Sequence, residues 1–350
     1  MKTNWGAAFQ IAAVYVGTIV GAGFATGREI VEFFTRFGFI GLIGILMSGY
    51  IFIALGSKLM RVSAKIGASS YQEFNIFLFG RLFGSIINIM MLVMLLGVCG
   101  VMLSGAGAIF SEQLGLSRNF GLLLTLSLSI IVLIVGIKGL FAVNTIVVPL
   151  MISFSFILMF ISFQLPNFLD QLFFIPYVDD GWKSVVSPFS YTALNLGLAQ
   201  AVLVPVAAEI KNEDTVKWGG TIGGIALTLI LLSSHFTLMM LPNVEAFEIP
   251  MAVVMKNLAA GLHGLYILII YGEIFTSVIG NVFGLERQLK TFFRLPSLVI
   301  VGGILAIAFV ISQVEYGTLL SYLYPIFGYI SIIFIILLWL KPLEQIKKRP

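Results

Sequence analysis

Apolar stretches of membrane-crossing length recur along this chain, and none of the connections between them is large enough to form a soluble domain. A helix needs about 20 apolar residues to cross a bilayer. On that measure ten spans are expected. The first five are Trp5–Thr35, which is broken, Phe39–Leu59, Gly84–Phe110, Phe120–Ile137 and Ala142–Phe163. After a longer connection come Pro188–Ile210, Trp218–Leu241, Leu262–Phe283, Leu295–Ser312 and Thr318–Leu340. Composition agrees, since 59% of the 350 residues are hydrophobic and only 10% are charged, against roughly 25% charged in soluble domains. The expected fold class is an all-α integral membrane protein.

The basic residues set an orientation, because cytoplasmic loops carry the excess of Lys and Arg. With the N-terminus inside, one side holds Lys2, Lys58, Arg61, Lys65, Arg81, Lys138, Lys211, Lys217, Arg287, Lys290, Arg294, Lys341, Lys347, Lys348 and Arg349. The other side holds Arg28, Arg36, Arg118, Lys183 and Lys256. Both termini are therefore expected in the cytoplasm, in a multi-pass protein of the cell membrane. The net charge of +4 is spent in these short loops, and no nucleic-acid partner is expected. The bilayer is the expected large partner. The N-terminal apolar run continues past the length of a secretory signal's apolar core and reads as a span.

Within the first span, VGTIVGAGFATGRE (Val16 to Glu29) stands where a simple anchor would carry Leu, Ile and Val. It holds Gly17, Gly21, Gly23 and Gly27, and Gly costs a helix about 1 kcal/mol relative to Ala. The spacing also forms GxxxG patterns, which permit close helix packing. The adjacent Gly21–Ala22–Gly23 and the polar neighbours Thr18 and Thr26 favour an opened segment. Backbone opened in a bilayer must be satisfied by protein, water or ligand. A ligand site near mid-membrane is expected there, with amides at the start of the second half-helix facing an anion.

Ten spans with a long connection after the fifth suggest a five-plus-five inverted repeat, residues 1–163 and 188–340, joined by 164–187 and followed by a basic tail, 341–350. The sixth span then matches the first. Its middle is polar and small, with Asn195, Gly197, Ala199 and Gln200, and Pro205 follows. Interrupted helices at corresponding positions of two halves point to a transporter binding site, so helices 1 and 6 are both expected to be discontinuous. Three connections promise structure of their own. Ser63–Leu82 suits one membrane surface and Leu165–Ile175 the other, while Pro242–Ala260 suits a helical hairpin dipping into an outer vestibule.

Glu273, in the eighth span, is the clearest intramembrane acid. A charge at the bilayer centre costs about 3 kcal/mol on insertion scales and normally faces protein or a water-filled cavity. It suits a proton carrier or part of a cation site, and otherwise a neutral carboxyl bonded within the bundle. Thr276 and Ser277 share its helical face. Their hydroxyls, with a carbonyl, are hard oxygen ligands better matched to an alkali cation than to a transition metal, although such hydroxyls commonly bond back to the preceding turn. Arg28, Glu29 and Glu32 follow the glycines and are placed on the outer side, as gating or solvated charges. His235 reads as a core histidine. Cys99 and the two histidines provide no metal cluster. HExxH, Walker A and G-x-S-x-G motifs are absent.

The segment IAAVYVGTIVGAGFATGREIVEFF (Ile11 to Phe34) resembles the bacterial YkvI-type membrane proteins, a likeness that runs along the whole chain. More distantly, Gly17-Thr18-Ile19-Val20-Gly21-Ala22-Gly23 resembles the first-helix motif of the amino acid–polyamine–organocation superfamily. That resemblance implies the LeuT-like five-plus-five fold, with a substrate site between the first and sixth helices. It implies a substrate carboxylate on the amides of Gly21, Ala22 and Gly23, with Asn195 and Gly197 across from them. It further implies a sodium site made by the Gly17 and Val20 carbonyls, the Glu273 carbonyl, and the Thr276 and Ser277 hydroxyls. Sodium-coupled members usually have a small residue where Glu273 stands, which brings proton coupling into consideration. The third helix lacks a tyrosine at its middle, so that substrate contact does not carry over.

The function expected is cation-coupled secondary transport of a small organic solute, an amino acid or related zwitterion or carboxylate, by alternating access. No cofactor is expected beyond a bound sodium ion. The rival is a transporter-like receptor that senses a nutrient without net flux, and a channel or a membrane enzyme fits less well.

Overall fold

Apolar side chains at nearly every position favour helices here, because only a helix satisfies its own backbone within one segment. The computed structural model describes residues 3–68, 70–135, 138–210 and 212–343, apart from the side chains of 134, 135, 138–148 and 291. Among the described residues there is no strand. The expected span end at Ile137 and the basic residues Lys2, Lys211, Lys347, Lys348 and Arg349 lie outside the described residues.

The first span is three pieces: α1 (Trp5–Ile19), α2 (Ala22–Thr26) and α3 (Arg28–Phe33). A short 3-10 turn, Thr35–Phe37, leads to α4 (Phe39–Ile51), which passes through a π-turn at Phe52–Gly56 into α5 (Ser57–Ile66). The Tyr15 hydroxyl donates to the Phe52 carbonyl at 3.0 Å within that π-turn. A side chain at position 56 would collide with the same hydroxyl. Next come α6 (Tyr71–Phe79), α7 (Arg81–Ala108) with a π-turn at Ile109–Gln113, α8 (Arg118–Val135) and α9 (Lys138–Ser162). The short α10 (Phe168–Leu172) precedes α11 (Lys183–Glu209) and α12 (Glu213–Leu238). The expected hairpin forms from a 3-10 turn, Val244–Ala246, and α13 (Pro250–Leu258). The chain closes with α14 (His263–Phe292), α15 (Ser297–Ile311) and α16 (Tyr316–Leu340).

Among the described residues, six helical stretches are long and apolar enough to cross a membrane: Phe39–Ile66, Arg81–Gln113, Lys183–Glu209, Glu213–Leu238, Ala260–Lys290 and Tyr316–Leu340. Four shorter apolar ones, Trp5–Ile19, Arg118–Leu133, Pro149–Ser162 and Ser297–Ile311, fall where spans one, four, five and nine were expected. Large apolar side chains such as Ile89, Val93, Leu268 and Val310 face outward, as a lipid-facing surface requires. Inside, α12 packs against α1 on one side and against the α4–α5 rod on the other. A methyl group at Gly223 would lie 2.6 Å from the Tyr15 ring, and one at Gly220 the same distance from the Ser57 backbone, so small residues let these helices close in.

The expected interruption of the sixth span is not present. Helix α11 runs unbroken from Lys183 to Glu209 and contains both Pro188 and Pro205. Polar side chains of this stretch bond back to the helix's own backbone. Thr192 Oγ1 donates to the Pro188 carbonyl at 2.7 Å, and Asn195 Nδ2 donates to the Tyr191 carbonyl at 3.0 Å. Ser63 Oγ from α5 satisfies the Val204 carbonyl just before Pro205. Of the two spans expected to be interrupted, the first is and the sixth is not.

Candidate functional site

The first span opens where glycine leaves the helix. Val20 is extended (φ −74°, ψ 95°), as is Gly21 (φ −121°, ψ −163°), and helix resumes at Ala22. Among the described residues, no backbone amide bonds the carbonyls of Gly17 or Val20, and the amides of Gly21, Ala22 and Gly23 find no backbone acceptor. A methyl group on Gly17 would meet nothing within 4 Å, and one on Gly21 would meet only the Ser277 hydroxyl, at 3.7 Å. Gly17 and Gly21 are therefore not a close-packing pair. Gly17 borders open space, and Gly21 lies beside α14.

A second break follows at Gly27, whose φ of 80° lies in the left-handed region. The turn frees carbonyls that one tyrosine and a threonine then engage. Tyr266 donates to the Ala25 carbonyl at 3.2 Å, and Thr26 Oγ1 donates to the Gly23 carbonyl while lying 2.9 Å from the Tyr316 hydroxyl. The consequence is a change of direction that swings Glu29 back over α2. An added Cβ at Gly23 would sit 2.3 Å from Glu29 Oε2, so only glycine leaves room for this carboxylate. Glu29 Oε1 accepts from Asn195 Nδ2 at 3.2 Å, and Tyr191 lies one turn before Asn195 on the same face of α11. Tyr191 is itself fixed by the rings of Phe33, Phe34 and Phe52, with centroids 5.2, 4.9 and 5.9 Å away.

Glu29 is thus buried, 6% exposed, and is not the outer-surface charge expected from sequence. The signal available was Gly27 two residues before it, since a left-handed turn redirects whatever follows. Glu32 is also buried, but it pairs with Arg36 at 3.5 Å.

On α14, the Glu273 side chain is buried and its Oε1 has no hydrogen-bond partner. Thr276 Oγ1 donates to the Glu273 carbonyl at 3.2 Å, the local bond expected of a hydroxyl in a membrane helix. Ser277 instead faces the break at Gly21. The structure therefore brings Gly21 to Ser277 and Asn195 to Gly23 by way of Glu29. Gly197 goes elsewhere, because its α-carbon faces Ser331 of α16 and it lines a small cavity with Gln200, Met91 and Phe334. His235 is buried with Nδ1 3.2 Å from Thr35 Oγ1, consistent with a core histidine.

Beyond α3 the hairpin is tied to the bundle by several polar contacts. Arg28 Nη1 donates to the carbonyls of Glu245 and Phe247 in the hairpin, the latter at 2.9 Å. Glu112 Oε2 accepts from the Ile249 amide at 2.9 Å, and Arg118 lies 3.7 Å from Glu248. Burial pushes the Glu248 carboxyl above its usual range, and Arg118 pulls it back down only in part. Arg36 also reaches Asp180 at 3.0 Å. At the opposite end, Arg61 pairs with Glu213, Lys58 donates to the Trp339 carbonyl and Lys65 to that of Leu343.

No family model matches the chain. The chain is 52% identical over 336 residues to the uncharacterized membrane protein YkvI of Bacillus subtilis (strain 168), with 96% of each covered. It is 23% identical over 346 residues to the uncharacterized protein YyaD of the same organism, covering 97% of this chain and 98% of that one. Among solved structures, a mutant of the Eremococcus coleocola manganese transporter superposes with a TM-score of 0.67 at 15% identity, covering 95% of this chain and 77% of that one. A transporter of the nucleobase–cation-symport-1 family, closed with bromovinylhydantoin bound, superposes with a TM-score of 0.60 at 10% identity, covering 92% and 76%. These similarities establish the LeuT-like fold. The identity to YkvI along nearly the whole chain makes this protein a member of the YkvI family of bacterial membrane proteins.

Proposed function

We propose that the chain is a cation-coupled secondary transporter of a small organic solute, an amino acid or related zwitterion or carboxylate, working by alternating access. The observation that carries the proposal is the opened segment at Val20–Gly21, which lies beside Ser277 on α14 and leads into the half-helix over which Glu29 folds. Unsatisfied backbone inside a membrane bundle is tolerated where it faces a ligand or water. Two kinds of group converge there. Amides of Gly21, Ala22 and Gly23 suit a substrate carboxylate, with Asn195 at the same site and Gly197 farther along α11.

The coupling cation fits the other face of the break. Sodium takes hard oxygen ligands, and the free carbonyls of Gly17 and Val20, the Glu273 carbonyl and the hydroxyls of Thr276 and Ser277 are all of that kind. In this reading the Glu273 carboxyl, buried without a partner for Oε1, is the group that takes or gives a proton. Among the described residues no three of His, Cys, Asp and Glu come together. The likeness to solved transporters supports transport over enzymatic chemistry. The basic residues Lys58, Arg61 and Lys65 gather with Lys341 and Leu343 at one end, which supports a cytoplasmic assignment for that end and for both termini.

The deciding experiment is uptake by the purified protein in proteoliposomes, with a panel of amino acids and organic acids under an imposed sodium or pH gradient. Gradient-driven accumulation supports the proposal. Ligand binding with no flux under either gradient supports the receptor reading.

A further inference from the structure

Glu29 is a buried carboxylate with a neutral donor beside it and no cation of the protein's own. Asn195 Nδ2 spends its two bonds on Glu29 Oε1 and on the Tyr191 carbonyl. The nearest basic residues in sequence are committed elsewhere. Arg28 is tied to the Glu245 and Phe247 carbonyls, and Arg36 to Glu32 and Asp180. Among the described residues, Glu29 takes part in no ion pair. Glu32, equally buried and three residues on, has Arg36.

A carboxylate out of water is costly unless a positive charge compensates it. A proton can supply that charge, as read for Glu273, but Glu29 differs in having an amide donor aimed at Oε1, which favours the ionised form and compensation by a cationic ligand. Tyr191 stands one helical turn before Asn195 on the same face of α11, with the rings of Phe33 and Phe34 packed against its own. Aromatic surroundings suit an organic ammonium, whereas a bare alkali ion needs a shell of oxygens. The position is also telling, because the carboxylate rests against Gly23 of the half-helix that follows the break.

We propose that Glu29 is the anchor for a protonated amine on the transported solute. Asn195 holds it in place. The substrate class is then amines and zwitterions, and simple carboxylates are excluded. This inference rests on the transporter reading above and narrows it.

The test uses full-length protein in detergent and a thermal-shift series of paired probes, run in sodium and in potassium buffer. The pairs are L-alanine with propionate, L-leucine with 4-methylpentanoate, L-phenylalanine with 3-phenylpropanoate, and putrescine with 1,4-butanediol. Expected is a rise in melting temperature with at least one amine and none with its deaminated partner. In Glu29→Gln the binding of that amine weakens by about tenfold or more, equivalent to 1.4 kcal/mol. Glu29→Asp, which keeps the charge, retains part of the shift and shows that the site still folds.

Four results overturn the proposal. They are stabilisation by no amine, equal stabilisation by a deaminated partner, an undiminished shift in Glu29→Gln, and a shift from sodium alone that depends on Glu29. Uptake is scored separately. Amine binding without flux leaves the anchor standing and removes the transport reading. Flux of a deaminated solute that ignores Glu29→Gln does the reverse.

Discussion

Replacing Gly23 with Ala would put a methyl group 2.3 Å from Glu29 Oε2, where ordinary contact begins at about 3.4 Å. The carboxylate must then withdraw by about 1 Å. Its bond from Asn195, already 3.2 Å long, is lost in that movement. A hydrogen bond to a charged group contributes about 1.5–3 kcal/mol, and overpacking a filled site costs about 1–3 kcal/mol. Gly23→Ala is therefore expected to destabilise the protein by about 1.5–3 kcal/mol. In a Glu29→Ala background the clashing group is absent. There the same change is expected to be neutral or stabilising by up to about 1 kcal/mol, the helix propensity gained on replacing Gly. Unfolding titrations of the four proteins of this double-mutant cycle measure the difference directly. A Gly23→Ala cost that agrees within about 0.5 kcal/mol in the two backgrounds, the range of simple additivity, refutes the seating of Glu29 against Gly23.

Other consequences follow from the same geometry. Gly27→Ala forces a side chain into the left-handed region, at about 1–2 kcal/mol, and against Leu238 and Met251 at 3.1–3.2 Å. Its melting temperature should fall, whereas Gly17→Ala, with open space around it, should melt no lower than the wild type. Glu273→Gln should cut uptake at least about tenfold and flatten its pH profile, and an unchanged profile removes Glu273 as proton carrier. Asp180 lies outside the spans. Partial burial pushes its carboxyl up, but Lys183 and Arg36 outweigh that and hold it below its ordinary 3.8. Its stabilisation is complete above that value and disappears as the pH falls through the lowered one. Asp180→Asn should therefore cost at most about 1 kcal/mol near neutrality and nothing in strong acid, as pH-dependent melting can show.

Much of the architecture was legible because lipid leaves few choices. Runs of apolar residues had to be helices, and Gly21 with Gly23 marked a place where the first could open at little cost. Gly27 was visible as a glycine, but its left-handed φ and its close approach to Leu238 and Met251 of distant helices were not. Glu29 was misplaced for the same reason, since its burial follows from that turn and from Asn195, 166 residues away. The reading of α11 failed locally. Prolines and a polar patch looked like a break, yet Thr192 and Asn195 bond the preceding turn of their own helix. Hydrogen bonds of this kind cannot be told from composition. Gly197 was grouped with the break by sequence proximity to Asn195, and two residues of helix turned it toward Ser331.

Ion-driven flux decides whether the opened first span couples a cation to a solute. Purified protein in proteoliposomes, preloaded without sodium and diluted into a labelled amine-bearing solute, is exposed to an inward sodium gradient, an inward proton gradient or neither. Accumulation above the equilibrium level under one of the two gradients, abolished by Glu273→Gln or by Ser277→Ala according to the ion, is the expected result. Equilibration to the same level under all three conditions, with both variants behaving as the wild type, contradicts coupling at this site.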